Sequence, residues 1–317
     1  MKKILITGVS GLLGSNLAFC YRDRYELLGL YRTHRVDIEG MRTMECDIND
    51  KDMLDRIIQT FQPDIIIHCA ALSRPDICER DPDLTYQINV QGTGNILAAI
   101  AALPTKLVYI STDAIFDGER GHYREEDQAV APHCYGKSKL EAEQQVLQRP
   151  DALVLRINIY GWNVIIDQKS FGEHVIASLS TGQEMKGMTD AFCSIMYTFD
   201  LAKLIEETID HGLTGIYHSV CSDYCSKYDY ILKAAKQFGL STEKLKACHC
   251  DDFGFQVPRA KNLMLNVSKL EQALGHPLPT VDESIADFHQ DYLNGVPDQM
   301  KACMVTYREC AYDAEGK

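Results

Sequence analysis

Along the first 160 residues, short apolar runs alternate with stretches of helical periodicity. Lys-Ile-Leu-Ile-Thr at 3–7 is a β-branched run that ends at a glycine, and Leu12–Tyr21 behind it has helical spacing. The same reading gives strands at Glu26–Tyr31, 64–68, 106–111 and Leu153–Ile157, with helices at 50–60, 85–102 and 135–147. These strands are apolar almost throughout, which marks strands buried on both faces. Strands of that kind alternating with helices imply right-handed crossovers and a parallel sheet covered on both sides.

After Tyr160 the regularity weakens. Helices are expected at 170–180, 199–211, Lys227–Phe238, 267–274 and 282–293, and strands at 216–220 and 244–250. The fold class is therefore α/β, a Rossmann-type doubly wound parallel sheet with a smaller mixed α/β C-terminal substrate lobe. The expected division is a dinucleotide-binding domain at 1–160, to which 193–222 returns. The substrate lobe is made of 161–192 and 223–296. A tail at 297–317 carries Cys303 and Cys310, both expected to be exposed.

A length of 317 residues supports about two domains. The formal charge is −13 and no basic stretch stands out, so neither nucleic acid nor an anionic membrane surface is an expected partner. No apolar run reaches the roughly 18 residues that would cross a bilayer. Thr7, Ser10 and the glycines interrupt the run behind Met1-Lys2-Lys3, against a signal peptide. A cytoplasmic location follows as the expectation, with the 12 cysteines reduced. Oligomeric state stays open, a homodimer included.

Thr7-Gly8-Val9-Ser10-Gly11-Leu12-Leu13-Gly14 joins the first strand to the first helix. Glycines at this spacing allow a tight turn, a close approach to a pyrophosphate and close packing of helix on sheet. The phosphates would lie on free amides of the helix N-terminus. An acidic residue about 20 positions on would select NAD, but the second strand ends in Tyr31-Arg32-Thr33-His34-Arg35. Arg32, with Arg35 as a helper, suits a 2′-phosphate, so NADP (as NADPH) is favoured over NAD. Asp37 is the late acidic alternative.

Tyr135 and Lys139 stand four apart at the start of a helix and share a face. An ammonium near a phenol favours the phenolate and lowers its pKa. A phenol so tuned can protonate a carbonyl oxygen as hydride reaches the carbon. Thr112, at the carboxyl end of the strand at 106–111, is the first choice for the hydroxyl that polarises the carbonyl, and Ser111 the second. Cys248-His249-Cys250 invites a metal reading, but alternation along a strand fits better, so no metal is expected. Trp162 either stacks on a base or sugar at the junction of the lobes or simply packs.

With these residues placed, the chain resembles the extended short-chain dehydrogenase/reductases, and most of all their dTDP-4-dehydrorhamnose reductase branch. Further matching pieces are Cys46-Asp47-Ile48, His68-Cys69-Ala70-Ala71, Ser111-Thr112-Asp113, the run from Tyr135 to Lys139, and Arg156-x-Asn158-x-Tyr160-Gly161. The resemblance implies that Thr112, Tyr135 and Lys139 are catalytic. It implies that Asp47 and Ile48 meet the adenine, that Ala70, Ala71 and Leu72 line the cofactor, and that Asn158 and Ile159 lie near the nicotinamide. The substrate would be a nucleotide sugar met by Asp113, Phe116, Trp162 and Arg259, the last at its diphosphate. Ala114 stands where related dehydratases carry glutamate and fucose-type epimerase-reductases carry cysteine. That leaves reduction of a 4-keto group, or 4-epimerisation. A related branch serves as a non-catalytic regulatory subunit of methionine adenosyltransferase, and the intact Thr112, Tyr135 and Lys139 favour the enzyme.

Overall fold

Residues of alternate parity along the first strand feed two separate cores. Ile4 and Ile6 join one face of the sheet, covered by the helices Leu12–Tyr21 and Thr198–Asp210. Leu5 joins the other, under Lys51–Phe61, Gly92–Ala99 and Cys134–Val146. Each such side chain contributes about 1.5–3 kcal/mol by leaving water. The structure is a computed structural model and describes residues 1–165 and 167–307.

The sheet has seven strands: β1 (Lys3–Thr7), β2 (Glu26–Tyr31), β3 (Met41–Glu45), β4 (Ile65–His68), β5 (Lys106–Thr112), β6 (Leu153–Ile157) and β7 (Gly215–His218). Their order is β7-β6-β5-β4-β1-β2-β3, and every neighbouring pair is parallel. The order reverses between β1 and β4, and ligands of such sheets bind at the carboxyl ends beside that reversal.

The chain leaves this sheet after β6 and comes back to it at β7. In between, Ser170 and Glu173 cap the helix Phe171–Ser180 reciprocally, and Ser170 Oγ also donates to the Gly161 carbonyl at 2.5 Å. The helices Phe171–Ser180, Lys227–Phe238 and Val281–Leu293 enclose an aromatic cluster of Tyr160, Tyr197, Tyr230 and Phe288. Among the described residues no helix is long and apolar enough to cross a membrane.

Three features depart from the expectations. The stretch read as one helix at 85–102 is Pro82–Tyr86, a π-helical turn at Gln87–Gln91, and Gly92–Ala99. The strand β3 was not foreseen, nor was the antiparallel pairing of His34–Val36 with Met304–Tyr307. Cys303 is buried, its thiol donating to the Gln299 carbonyl, rather than exposed. Cys310 lies outside the described residues.

Candidate active site

The glycine turn is shaped by close approach. Gly8 has φ +67°, and a Cβ there would lie 2.8 Å from the backbone of Ala70. A Cβ on Gly14 would run into the Gly8 carbonyl. β1 and β4 are locked together beside this turn. Thr7 Oγ1 lies 2.7 Å from His68 Nδ1 and accepts from the Ala70 amide at 3.2 Å. His68 Nε2 meets Thr93 Oγ1 at 3.0 Å. Burial, with the nearby Lys139 adding to it, pulls the imidazole down to about 3, so it is neutral.

A cleft with two arms opens over the turn, and Gly8, Gly11 and Ala71 line both. Ser10, Arg32, Asp47, Ile48, Ala70 and Leu72 line one arm. Leu12, Leu13, Gly14, Asn158 and Ile159 line the other, together with Thr112, Tyr135 and Lys139. Arg32 and every residue that the glycine motif or the resemblance assigns to the cofactor thus border one arm or the other. Arg35 and Asp37 do not. They border a separate groove at the sheet edge with Met41, Arg42 and Phe61, because one residue along the short strand His34–Val36 turns a side chain to the opposite face.

Sequence reasoning missed Thr33, His34 and Gln168 in the first arm and Ser73 in the second. Most adjoin residues that were named, whereas Gln168 carried no signal. It also missed Asn89. Within the π-helical turn, its amide accepts from the Leu72 amide at 2.8 Å and donates to the Leu72 carbonyl at 3.0 Å. It donates to Ser138 Oγ at 2.9 Å as well. Asn89 thereby ties the cofactor wall to the helix that carries Tyr135 and Lys139. An asparagine and two nearby glycines inside a supposed helix were the available sign.

In the second arm, His133 caps the helix Cys134–Val146, its Nδ1 accepting from the Gly136 amide at 3.1 Å. Lys139 is buried with its Nζ 4.1 Å from the centre of the Tyr109 ring. Burial pulls its ammonium down to about 7, against the pull of Cys69 and Glu143. The Tyr135 phenol is not lowered, contrary to the sequence expectation. Burial holds it above its ordinary value, Asp113 adds to this, and a hydrogen bond with Thr112 opposes it.

Thr112 Oγ1 donates to Asp113 Oδ1 at 3.2 Å and accepts from the Ala114 amide at 3.2 Å, so it caps a turn while facing the cleft. Ser111 Oγ donates to Glu143 Oε2 at 2.8 Å, inside the protein, and that commitment leaves Thr112 as the hydroxyl of the pair. Asp113 accepts from Asn158 Nδ2 at 2.5 Å. Burial pushes its carboxyl up to about 6, against Asn158, Lys227 and Thr112.

Two of the expected substrate residues are core residues. Phe116 is fully buried and stacks on Tyr123 at 4.2 Å. Trp162 is buried and stacks on Phe288 at 3.9 Å, which settles it as packing. In both cases an aromatic ring beside a site motif serves the layer beneath the site. Arg259 remains at the surface, paired through Nη2 with Asp76 at 2.6 Å. The strand expected at 244–250 ends at Cys248, whose thiol donates to the Gly187 carbonyl. Cys250 opens a turn instead of sharing that strand's face. Among the described residues, no group of three or more His, Cys, Asp or Glu is arranged to hold a metal ion.

The chain matches the RmlD substrate binding domain family over residues 1–294. Methionine adenosyltransferase 2 subunit beta of Danio rerio is 31% identical over an alignment of 281 residues that covers 85% of this chain and 84% of that protein. A hypothetical dTDP-4-dehydrorhamnose reductase from Sulfolobus tokodaii superposes with a TM-score of 0.79 at 30% identity, covering 89% of this chain and 99% of that one. The dTDP-4-dehydrorhamnose reductase from Bacillus anthracis, solved in complex with NADP, gives 0.80 at 26% identity, with coverages of 92% and 100%.

Proposed function

From the chain's membership of the RmlD substrate binding domain family, we propose that it reduces the 4-keto group of a nucleotide-linked deoxysugar with NADPH. The observation that carries this reading is the convergence of Thr112, Tyr135 and Lys139 on the arm of the cleft next to the glycine turn. The turn itself fits a dinucleotide, since a Cβ at Gly8 or Gly14 would collide with backbone. A nicotinamide cofactor supplies hydride when bound. Tyr135 stays protonated until a carbonyl oxygen takes its proton, because burial holds the phenol up. Thr112 orients that oxygen through its hydroxyl. Lys139 shares the arm with Tyr135 and supplies a donor for the cofactor's ribose. Arg32 receives the 2′-phosphate, which makes NADPH the preferred form.

The test is a panel of 4-keto nucleotide sugars followed by NADPH absorbance. Tyr135→Phe keeps the ring and removes the proton. Turnover is expected to fall by roughly two to four orders of magnitude, the usual worth of general acid catalysis, with NADPH affinity retained. Full activity in Tyr135→Phe would sink the mechanism. The 31% identity to methionine adenosyltransferase 2 subunit beta favours a second reading, a dinucleotide-binding regulatory subunit. Tight NADPH binding with no reduction anywhere in the panel, and a stable complex with a methionine adenosyltransferase, would decide for it.

A further inference from the structure

Lys139 is a buried lysine with no carboxylate to answer its charge. Among the described residues its Nζ makes no ion pair and no hydrogen bond. The titratable groups near it are Tyr135 and Glu143 on its own helix, His68 and Cys69 at the end of β4, and Tyr109 on β5. Both oxygens of Glu143 are taken by Arg156 and Ser111. Burial keeps the Cys69 thiol and the Tyr135 phenol protonated, and His68 is neutral. What faces Nζ is a ring. It stands 4.1 Å from the centre of the Tyr109 ring, inside the roughly 6 Å over which an aromatic face attracts a cation.

Tyr109 is fixed where it stands. It is fully buried on β5, on the same strand as Thr112. Its partner across the sheet is His68, opposite it in the pairing of β4 with β5, with ring centres 5.6 Å apart. His68 is itself held from two sides, by Thr7 and by Thr93. The Tyr109 hydroxyl has no hydrogen-bond partner among the described residues, so this position uses the ring rather than the oxygen.

We infer that Tyr109 is a positioning residue, whose ring holds Lys139 charged and in place in the second arm of the cleft. This rests on the reading above in which Lys139 serves the cofactor. A carboxylate under Nζ would also hold the charge, but it would take up N–H donors of the ammonium. An aromatic face attracts the ammonium through the ring quadrupole and leaves its hydrogen bonds to be made in the arm that Lys139 lines. Exclusion of water strengthens that attraction, which opposes the burial that pulls the ammonium down.

The ring can be tested without turnover. In protein carrying isotope-labelled lysine, the Lys139 signal is the one that Lys139→Met removes, and NMR follows its titration in the unloaded protein. The wild type is expected to titrate at about 7. Tyr109→Phe keeps the aromatic face and titrates within about 0.3 pH unit of the wild type. Tyr109→Leu loses the face and titrates about one pH unit or more lower, the worth of a desolvated cation–π contact. Trifluorophenylalanine in place of Tyr109 keeps the ring's shape, draws charge from its face and falls between the two, which keeps the test open if the leucine variant does not fold. The pH at which NADPH affinity begins to fall moves down by the same amounts, because the charged lysine is the form that meets the anionic cofactor. If all these proteins titrate together, the ring does not hold the ammonium and the inference is wrong, whatever the protein catalyses. If the titrations follow the ring while NADPH affinity ignores them, Lys139 has no part at the cofactor, and the reading beneath the inference fails instead.

Discussion

Glu143 and Arg156 face each other between the helix Cys134–Val146 and β6, 2.5 Å apart, with side chains only 2% and 4% exposed. The second oxygen of Glu143 accepts from Arg156 Nε and from Ser111, so the pair joins the helix of Lys139 to the strands that carry Ser111–Thr112 and Arg156. Removing one member of a buried pair strands the other and costs about 3–5 kcal/mol. Glu143→Gln and Arg156→Met should each lower unfolding stability by about that much in denaturant titration. Glu143→Gln/Arg156→Met should cost less than the sum of the two. Additive losses would mean that the two side chains do not act as a pair.

In the proposed reading cofactor choice rests on Arg32, which is exposed in the arm lined by Asp47 and Ile48. A hydrogen bond to a charged group contributes about 1.5–3 kcal/mol. Arg32→Ala should therefore weaken NADPH by about ten- to hundredfold and leave NADH within a factor of about three. Arg35→Ala, which faces the other groove, should change neither. Dissociation constants from nucleotide fluorescence decide this. Equal losses for the two cofactors would remove Arg32 from the 2′-phosphate.

Two site residues should cost the unloaded protein stability in opposite pH windows. The Asp113 carboxyl is raised to about 6 by burial. Its cost is absent below about pH 4, the unfolded value, and complete above 6. The Lys139 ammonium is lowered to about 7 by burial. Its cost is absent above about pH 10.4 and complete below 7. Linkage then requires Asp113→Asn to raise Tm at pH 8 and to lose that gain near pH 4. Lys139→Met should raise Tm at pH 7, with the gain shrinking toward pH 10. Gains that do not change with pH would contradict the assignment of these shifts to burial.

The chain has one tryptophan, Trp162, and it lies against Phe288 of the helix Val281–Leu293. Its emission should be blue-shifted and poorly quenched by acrylamide. Addition of dTDP should leave the emission in place, because the indole does not border the site. Phe288→Ala opens a cavity beside the indole and should cost about 3–5 kcal/mol, with a red shift in the native state. A large change on adding dTDP alone would return Trp162 to the substrate site.

Legibility in the sequence followed the locality of the cause. β1 and β4 are apolar runs whose burial comes from both faces at once, and their bounds are plain from composition. β3 is half exposed along Met41–Glu45 and shows no alternation, so its pairing with β2 leaves no mark on the chain. His34–Val36 is a strand only because Met304–Tyr307 pairs with it from the far end of the chain. The π-helical turn at Gln87–Gln91 exists where Asn89 bonds to Leu72 and Ser138, a tertiary demand that helical periodicity does not express. In the site, the motifs gave the residue types and the cleft's two walls. The failures at Phe116 and Trp162 have one origin: adjacency in sequence to a site motif does not say whether a side chain points up into the cleft or down into the core.

The return of the chain to the sheet at β7 bears on how the protein could be divided. A fragment cut near Tyr160 would keep the glycine turn, Tyr135 and Lys139, yet it would lose the strand that covers β6 and the helix Thr198–Asp210 that lies against Leu12–Tyr21. Leu153–Ile157, buried at every position, would become an open, hydrophobic edge. Such an edge is a template for pairing with another chain, so the isolated fragment should aggregate. A graft that exchanges the C-terminal lobe for a relative's must therefore leave 193–222 in place, with junctions after β6 and on both sides of that segment, so that β7 stays with its own sheet.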